Sequence, residues 1–298
     1  MTQHEELHDD DIPVGRVLSR REALALFGGA GLALVAGAGL TRVALAQVAT
    51  ATATPSGAAL GATATALPSC VVRPALTEGP YFVDAMLNRS DIRIEPSDES
   101  VVAGILLKLA FHVTDVTDGT CKPLPGAQVD IWHCDAEGTY SGVEGEGAAD
   151  KLFLRGYQVT DENGMAVFKT IYPGWYPGRT VHIHFKIRTE PEAETGYEFT
   201  SQLFFDDDLT DTVYEDPLYA AKGTRNTTND DDNIFNGSEG LLTLELVPLT
   251  EEEQDEEGEA GYAAVFEIGL DLNDDTSSQS DFNQRGGPGG NRPPDGQG

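Results

Sequence analysis

Alternating apolar and polar side chains mark out several short β-strands along this chain. In TVHIHFKI (residues 180–187) every second side chain is apolar, so the apolar residues share one face of a strand. His182, His184 and Lys186 fall on the opposite face. This pattern predicts a half-buried strand, and it leaves two imidazoles side by side on the face away from the core.

Similar segments recur along the chain, and turns rich in Gly, Pro, Asn and Asp separate them. Further strands are predicted at 102–116, 127–133, 154–160, 165–172, 199–206, 241–248 and 262–271. No long amphipathic helical pattern competes with them. Many short strands joined by turns predict an all-β domain, either a β-sandwich or a barrel, with functional side chains on strand ends and long loops.

The first 46 residues have the features of an export signal. Arg20 and Arg21 precede an apolar run, and a small-x-small motif ends at Ala46. This order is typical of a twin-arginine signal peptide, so we expect 1–46 to be removed. The mature protein is then expected in the periplasm, at the cell surface or in the medium.

Composition divides the rest of the chain into three parts. Residues 47–69 are rich in Ala and Thr and predict a flexible linker, and residues 273–298 are polar and Gly/Pro-rich and predict a disordered tail. Between them, residues 70–272 are predicted to form one compact domain.

The chain is strongly acidic, with 50 Asp and Glu against 19 Lys and Arg. This balance argues against nucleic acid, and against a membrane in the mature form, as partners. Acidic runs such as 250–259 are expected to be solvated surface. The sequence leaves open whether the protein forms a homo-oligomer.

The chain has three cysteines, Cys70, Cys121 and Cys134, without the clustered spacing of a metal site. In an exported protein they predict one disulfide and one free thiol, with the pairing left open.

The neighbours of the histidine pair make it a candidate metal site. A His-x-His pair on a strand is by itself often only a solvated face. Here Tyr176 lies in the turn PGWYP, six residues before His182, and Arg179 lies three residues before it. Further upstream, WHCDAEGTYSG (132–142) follows a predicted strand with a turn that contains Tyr140.

These stretches together resemble the intradiol ring-cleavage dioxygenases. The similarity runs through WHCDAEGTYSG, FLRGYQVTDENGMAVFKTIYPGWYPGRTVHIHF and SQLFFDD, and TEGPYF (77–82) extends it towards the start of the domain. The chain is most similar to the exported, single-domain branch. The resemblance implies a transthyretin (prealbumin)-like β-sandwich with long active-site loops. Only five residues separate Tyr176 from His182, fewer than in the well-known catechol-cleaving members, and this shorter loop implies a more open pocket.

The resemblance also implies a metal, a reaction and roles for individual residues. Four side chains are expected to hold a ferric ion, Fe(3+): Tyr140, Tyr176, His182 and His184. A catechol-type diol and O2 are the expected substrates, and a muconate-type dicarboxylate is the expected product. Tyr176 is expected to leave the metal and take a substrate proton. Arg179 is expected to stabilise negative charge on the ring, and Gln202, in SQLFF, to orient oxygen or the intermediate.

The donor types suit this metal. Phenolate is a hard, anionic donor that favours a hard trivalent ion over Zn(II) or Cu(I), and imidazole accepts iron readily. Two phenolates and one hydroxide would balance the charge of Fe(III).

Several alternatives stay open. Tyr172 competes with Tyr176 for the ligand role, because a shifted register would exchange them. Asp206 could complete a two-histidine, one-carboxylate Fe(II) site, and the run 206–208 could bind calcium, although a solvated loop is the simpler interpretation. The alternative function is a catalytically inactive, transthyretin-like extracellular binding module. His133 is expected to be structural, and Tyr81 to line the pocket or pack beneath it.

Overall fold

The computed structural model describes residues 71–145, 147–191, 196–250 and 260–274. The predicted signal and linker lie outside these residues, as does the predicted tail apart from its first two positions. In the described part of the chain, no helix is long and apolar enough to cross a membrane.

The described residues form mostly β-sheet with a few short helices, so the predicted all-β class is confirmed. The strands are β1 (Leu106–Asp115), β2 (Lys122–Pro123), β3 (Gln128–Trp132), β4 (Arg155–Val159), β5 (Met165–Ile171), β6 (His182–Arg188), β7 (Glu198–Phe204), β8 (Val247–Pro248) and β9 (Gly261–Leu270). The helices are α1 (Asp207–Val213), α2 (Pro217–Ala220) and α3 (Asn233–Gly237), and a 3-10 turn spans Asn229–Asp231.

The strands belong to two sheets. In the first, β1 pairs with β5 and β2 on one side and runs parallel to β9 on the other, and β8 pairs with β9. In the second, the order is β4-β3-β6-β7 and every pair is antiparallel. Strand β6 is therefore a central strand of the second sheet.

One hydrophobic core joins the two sheets. Phe185 of β6 contacts Phe111 of β1 at 5.3 Å and Phe266 of β9 at 5.5 Å between ring centroids. All three rings are buried. Burying an aromatic side chain of this size stabilises the fold by about 2–3 kcal/mol, so these contacts fix how the two sheets face one another.

Two local predictions were wrong. Only the end of the strand predicted at 241–248 is paired, as β8, although Leu242 and Leu244 exchange two backbone hydrogen bonds with Phe204 of β7. The acidic run after β7 begins helix α1 instead of forming a solvated loop, because the Asp206 carboxylate accepts the Leu209 amide and caps the first turn.

The polar face of β6 is also buried, contrary to the prediction of a half-buried strand. Residues 71–84, which we call the N-terminal cover, lie across this face. The Gln202 amide donates to the Thr77 carbonyl at 3.0 Å, and Lys186 forms an ion pair with Glu78. The histidines of β6 consequently lie in an enclosed layer between a sheet and a covering segment, and water is largely excluded from it.

A cross-strand row on this face positions the central side chains. Arg155 of β4 is opposite Trp132 of β3, Trp132 is opposite His184 of β6, and His184 is opposite Gln202 of β7. Residues opposite one another on neighbouring strands point to the same face, so sheet register alone brings these four side chains into one line.

Candidate metal centre

The two imidazoles of β6 converge through their Nε2 atoms, which are 3.1 Å apart. The Nδ1–H of His182 donates to the Thr180 carbonyl at 2.7 Å, and this bond directs Nε2 of His182 towards the site. The ring of His184 stacks on Trp132, with centroids 5.0 Å apart and an interplanar angle of 5°. Both rings are therefore held in place.

Two tyrosines bring their phenolic oxygens to the same point. The Tyr176 oxygen is 3.1 Å from Nε2 of His182, and the Tyr140 oxygen is 3.5 Å from that atom. Nε2 of His182 thus lies within 3.5 Å of the donor atoms of all three other predicted ligands, Tyr140, Tyr176 and His184. The structure brings together the four side chains named from the sequence.

Two glycines allow the loops that carry these tyrosines to pack against each other. Gly138 has φ +80°, and a Cβ atom there would lie 2.1 Å from the Trp175 carbonyl oxygen. A Cβ on Gly174 would lie 2.5 Å from the Asp135 carbonyl oxygen. The Asp135 carboxylate also accepts the Thr139 amide at 2.9 Å, which fixes the turn before Tyr140. The position of Tyr140 relative to Tyr176 depends on this close approach.

Burial keeps both imidazoles neutral. Desolvation lowers the pKa of His182 well below its usual range, and the charge of Arg179 lowers it further. Desolvation likewise lowers the pKa of His184, with His182 and Arg179 acting in the same direction. Neutral imidazole is the form that ligates metals, so the environment favours the binding-competent state.

The donor set fits a single metal ion. First-row metals bind nitrogen and oxygen donors at about 2.0–2.1 Å, so ligands at right angles lie about 3 Å apart. The separations of 3.1, 3.1 and 3.5 Å from Nε2 of His182 match that spacing. Two phenolic oxygens among four donors favour a hard trivalent ion.

Arg179 and Gln202 lie beside the two histidines and contact each other. One Nη2–H of Arg179 donates to the Gln202 side-chain oxygen at 2.6 Å, and Nε–H donates to Asp232 at 2.8 Å. Gln202 is fixed in turn through the Thr77 carbonyl. The side chains of Arg179, Gln202 and Asp232 are all buried, so they form a rigid polar group at the edge of the site.

The sequence matches the model of a known protein family. A model described as Dioxygenase matches residues 77–237, more than half of the chain and all four converging side chains. The chain belongs to the intradiol ring-cleavage dioxygenase family. Catechol 1,2-dioxygenase of Acinetobacter baylyi is 32% identical over 108 residues, which are 35% of this chain and 32% of that protein.

Other intradiol dioxygenases agree with this placement. Catechol 1,2-dioxygenase 1 of Acinetobacter lwoffii is 28% identical over 170 residues, half of each chain. The chain spans half or less of the length of these two curated relatives. The solved structure of an intradiol ring-cleavage dioxygenase from Tetranychus urticae is 30% identical, with a TM-score of 0.55, and the match covers 68% of this chain and 96% of that one.

Tyr172, the competitor for the ligand role, lies elsewhere. Its ring is buried in the main core, and its hydroxyl is 2.7 Å from the Thr210 hydroxyl. Burial raises the pKa of Tyr172 far above its usual range, which disfavours a phenolate there. Tyr176, at the half-buried mouth of the site, is the tyrosine next to the histidines.

The carboxylate alternative also lacks support in the structure. Asp206 caps helix α1, and in the described ranges no three His, Cys, Asp or Glu side chains group together as a metal site. Asp207 pairs with Arg225, so the acidic run serves helix capping and ion pairing.

Three further residues contact the site, and the sequence did not predict them as site residues. Asp232 holds Arg179, Trp132 stacks on His184, and Arg155 lies 5.9 Å from the ring centroid of Tyr140. For Trp132 the only local indication in the sequence was its place in the predicted strand 127–133, next to His133. Asp232 lies 53 residues after Arg179, so no local pattern could connect them.

The remaining candidates have structural contacts. His133 is buried, with Nδ1 2.8 Å from the Cys134 carbonyl and Nε2 2.7 Å from the Thr170 hydroxyl. Tyr81 stacks on Tyr140 with centroids 4.5 Å apart. Cys121 is disulfide-bonded, whereas Cys134 is a buried free thiol.

Proposed function

We propose that this protein is a non-haem Fe(III)-dependent intradiol dioxygenase that cleaves catechol-type aromatic diols with O2 to muconate-type dicarboxylates. The observation that supports this most directly is that two phenolic oxygens and Nε2 of His184 lie within 3.5 Å of Nε2 of His182. The names of the relatives, catechol and hydroxyquinol 1,2-dioxygenases, point to the same reaction class.

The proposed ligands of the ferric ion are Tyr140, Tyr176, His182 and His184. The chemistry that Fe(III) supplies when bound is the withdrawal of electron density from a catecholate ring, which activates the ring towards O2. The chain contributes rigidity, because Thr180 and Trp132 fix the two imidazoles and the paired glycine loops fix the two phenols.

Tyr176 is proposed as the base that takes a proton from the arriving diol. It is half-buried, whereas Tyr140 is 1% exposed, so Tyr176 is the ligand with room to move. Its phenolic oxygen is 3.1 Å from Nε2 of His182, so a diol hydroxyl that binds at this point would lie within hydrogen-bond reach of it. The aromatic pair Tyr81 and Tyr140 gives a planar apolar wall beside this opening.

Arg179 and Gln202 are proposed to act on the substrate. A buried guanidinium in a water-poor site stabilises negative charge that develops on the ring more strongly than it could in water. The hydrogen bond between Arg179 and Gln202 holds the amide so that it can orient oxygen. Asp232 keeps the guanidinium in this orientation.

We also propose the finer assignments that the sequence suggests. The two sheets are proposed to form a transthyretin-like sandwich of the family type, and residues 1–46 to direct export by the twin-arginine route. The mature protein is proposed to act on a small aromatic diol and O2, without nucleic acid or membrane as partner. Mass spectrometry of the secreted protein should find a new amino terminus at Gln47 if the signal is cleaved after Ala46.

Oxygen consumption tests the proposal. Iron-loaded protein should consume one O2 for each catechol or hydroxyquinol and yield a ring-opened dicarboxylate that contains both oxygen atoms of labelled O2. His184→Ala should abolish uptake, whereas Tyr172→Phe, outside the site, should retain it. Binding of diols without any uptake by the iron-loaded protein would instead indicate the inactive binding module.

A further inference from the structure

Arg155 differs from the other buried arginines in what neutralises it. Within the described residues five arginines are buried: Arg93, Arg155, Arg179, Arg188 and Arg225. Four of them form ion pairs with aspartates, at separations of up to 3.0 Å. For Arg155, the described part of the chain offers no carboxylate within ion-pair distance, although the chain as a whole is strongly acidic.

The hydrogen bonds of Arg155 all go to neutral acceptors. Its Nε donates to the Ser141 carbonyl at 2.8 Å, and its Nη2 donates to the same oxygen at 2.5 Å. Its Nη1 donates to the Tyr81 carbonyl at 2.6 Å. The guanidinium therefore ties together the residue that follows Tyr140 and the residue that stacks on it.

The geometry brings this unneutralised charge close to one proposed ligand. The guanidinium carbon of Arg155 lies 5.9 Å from the ring centroid of Tyr140, and both residues are buried. A buried cation without a counter-charge is costly, so a nearby anion is expected to compensate it.

The backbone before Arg155 is strained. Leu154 adopts φ +53°, in the left-handed region that leucine rarely occupies. Such a conformation costs on the order of 1 kcal/mol or more, and strain of this kind concentrates at functional sites. Leu154 is buried, and its amide donates to the Ile92 carbonyl at 2.7 Å, which holds the turn at the start of β4.

We propose that Arg155 is a positioning residue for the metal centre, which clamps the Tyr140 turn and supplies the fixed positive charge opposite the Tyr140 phenolate. This inference rests on the proposed function, since the phenolate is the iron-bound form of Tyr140. The pair is complete only when Tyr140 is anionic, and that explains why the chain keeps a buried arginine without a carboxylate at this place.

The visible band of the iron-loaded protein without substrate tests the charge. In tyrosinate-to-iron charge transfer an electron leaves the phenolate, and a nearby cation stabilises that electron and raises the energy of the band. Arg155→Gln should move the band to longer wavelength, and Arg155→Lys, which keeps the charge, should move it less. Arg225→Gln, which removes a buried arginine on the α1 side of the molecule, is the control and should leave it unchanged.

Hydrogen exchange in the metal-free protein tests the clamp. Amides of residues 139–142 should exchange faster in both Arg155 variants than in wild type, and at the wild-type rate in Arg225→Gln. If Arg155→Gln does not fold, the exchange rates of Arg155→Lys decide alone. A coloured wild type whose band and exchange are unchanged in the Arg155 variants overturns the inference, whereas a colourless iron-loaded wild type overturns the proposed function itself.

Discussion

The Nε–H of Arg179 donates to Oδ2 of Asp232 at 2.8 Å, and both side chains are almost completely buried. The same oxygen accepts the Thr180 amide at 2.9 Å, and the other carboxylate oxygen caps helix α3 through the amides of Ile234 and Phe235. One carboxylate therefore joins the start of β6 to a helix far along the chain, and it fixes a proposed catalytic guanidinium.

Replacing this carboxylate should affect both stability and activity. Asp232→Asn should lower the free energy of unfolding by about 3 kcal/mol, because it leaves a buried guanidinium without its counter-charge. It should lower kcat more than it raises KM, because the proposed task of Arg179 is to stabilise charge that develops during the reaction. Chemical denaturation and oxygen uptake measure the two effects.

Asp211→Asn is the matched control for this change. Asp211 also pairs with a buried arginine, Arg225, at 2.9 Å, but its side chain is 70% exposed. An exposed partner contributes little, so the loss should be within about 1 kcal/mol and kcat should not change. Equal losses in the two variants would contradict the role given to Asp232.

The colour of the iron-loaded protein should distinguish the two candidate tyrosines between β5 and β6, Tyr172 and Tyr176. Tyr176→Phe and Tyr140→Phe should each weaken or remove the visible charge-transfer band of the iron-loaded protein, because each removes a proposed phenolate ligand. Tyr172→Phe should keep the band and lose about 1 kcal/mol of stability, since it removes one buried hydrogen bond to Thr210. Loss of colour in Tyr172→Phe alone would exchange the two roles.

The thiol of Cys134 should resist alkylation in the folded protein. Burial raises its pKa to about 12, so the reactive thiolate is nearly absent at pH 8. Mass spectrometry after iodoacetamide treatment should find Cys134 labelled only when the protein is unfolded. Cys121 should be labelled only when the protein is also reduced, because it is disulfide-bonded. Rapid labelling of Cys134 in the native protein would contradict its burial.

Asp130 should make stability depend on pH. Desolvation raises its pKa to about 6, although Arg188 opposes the shift. An aspartate in the unfolded chain titrates near pH 4, so between these values the folded state binds more protons and stability falls as pH rises. The loss attributable to Asp130 should reach about 3 kcal/mol and be complete above pH 6.

Comparison with Asp130→Asn isolates this effect, because the other carboxylates are common to both proteins. From pH 4 to pH 7 the wild type should lose stability relative to the variant, by denaturant midpoints at constant ionic strength. A constant difference between the two proteins across that range would show that Asp130 titrates normally in the fold.

Local sequence carried much of the fold and of the candidate site. The alternation in 180–187 depends only on the two-residue period of a strand, and the structure has β6 at that place. The prediction of a strand at 241–248 was wrong for most of its length. In that segment Leu242 and Leu244 are buried and form two backbone hydrogen bonds with Phe204, but no extended ladder follows.

The sequence by itself determined most of the strands and which histidines share a face, because those properties depend on neighbours two residues apart. It also favoured Tyr176 over Tyr172, from the PG-x-Tyr context and the closeness to Arg179, but a shifted register would have exchanged them. Only the tertiary structure removed that alternative, and only it placed Asp232 on Arg179 and Arg155 beside Tyr140. These relationships depend on sheet register and loop packing between residues far apart in the chain. They also depend on the exclusion of water, because a buried charge is costly unless it is paired or hydrogen-bonded.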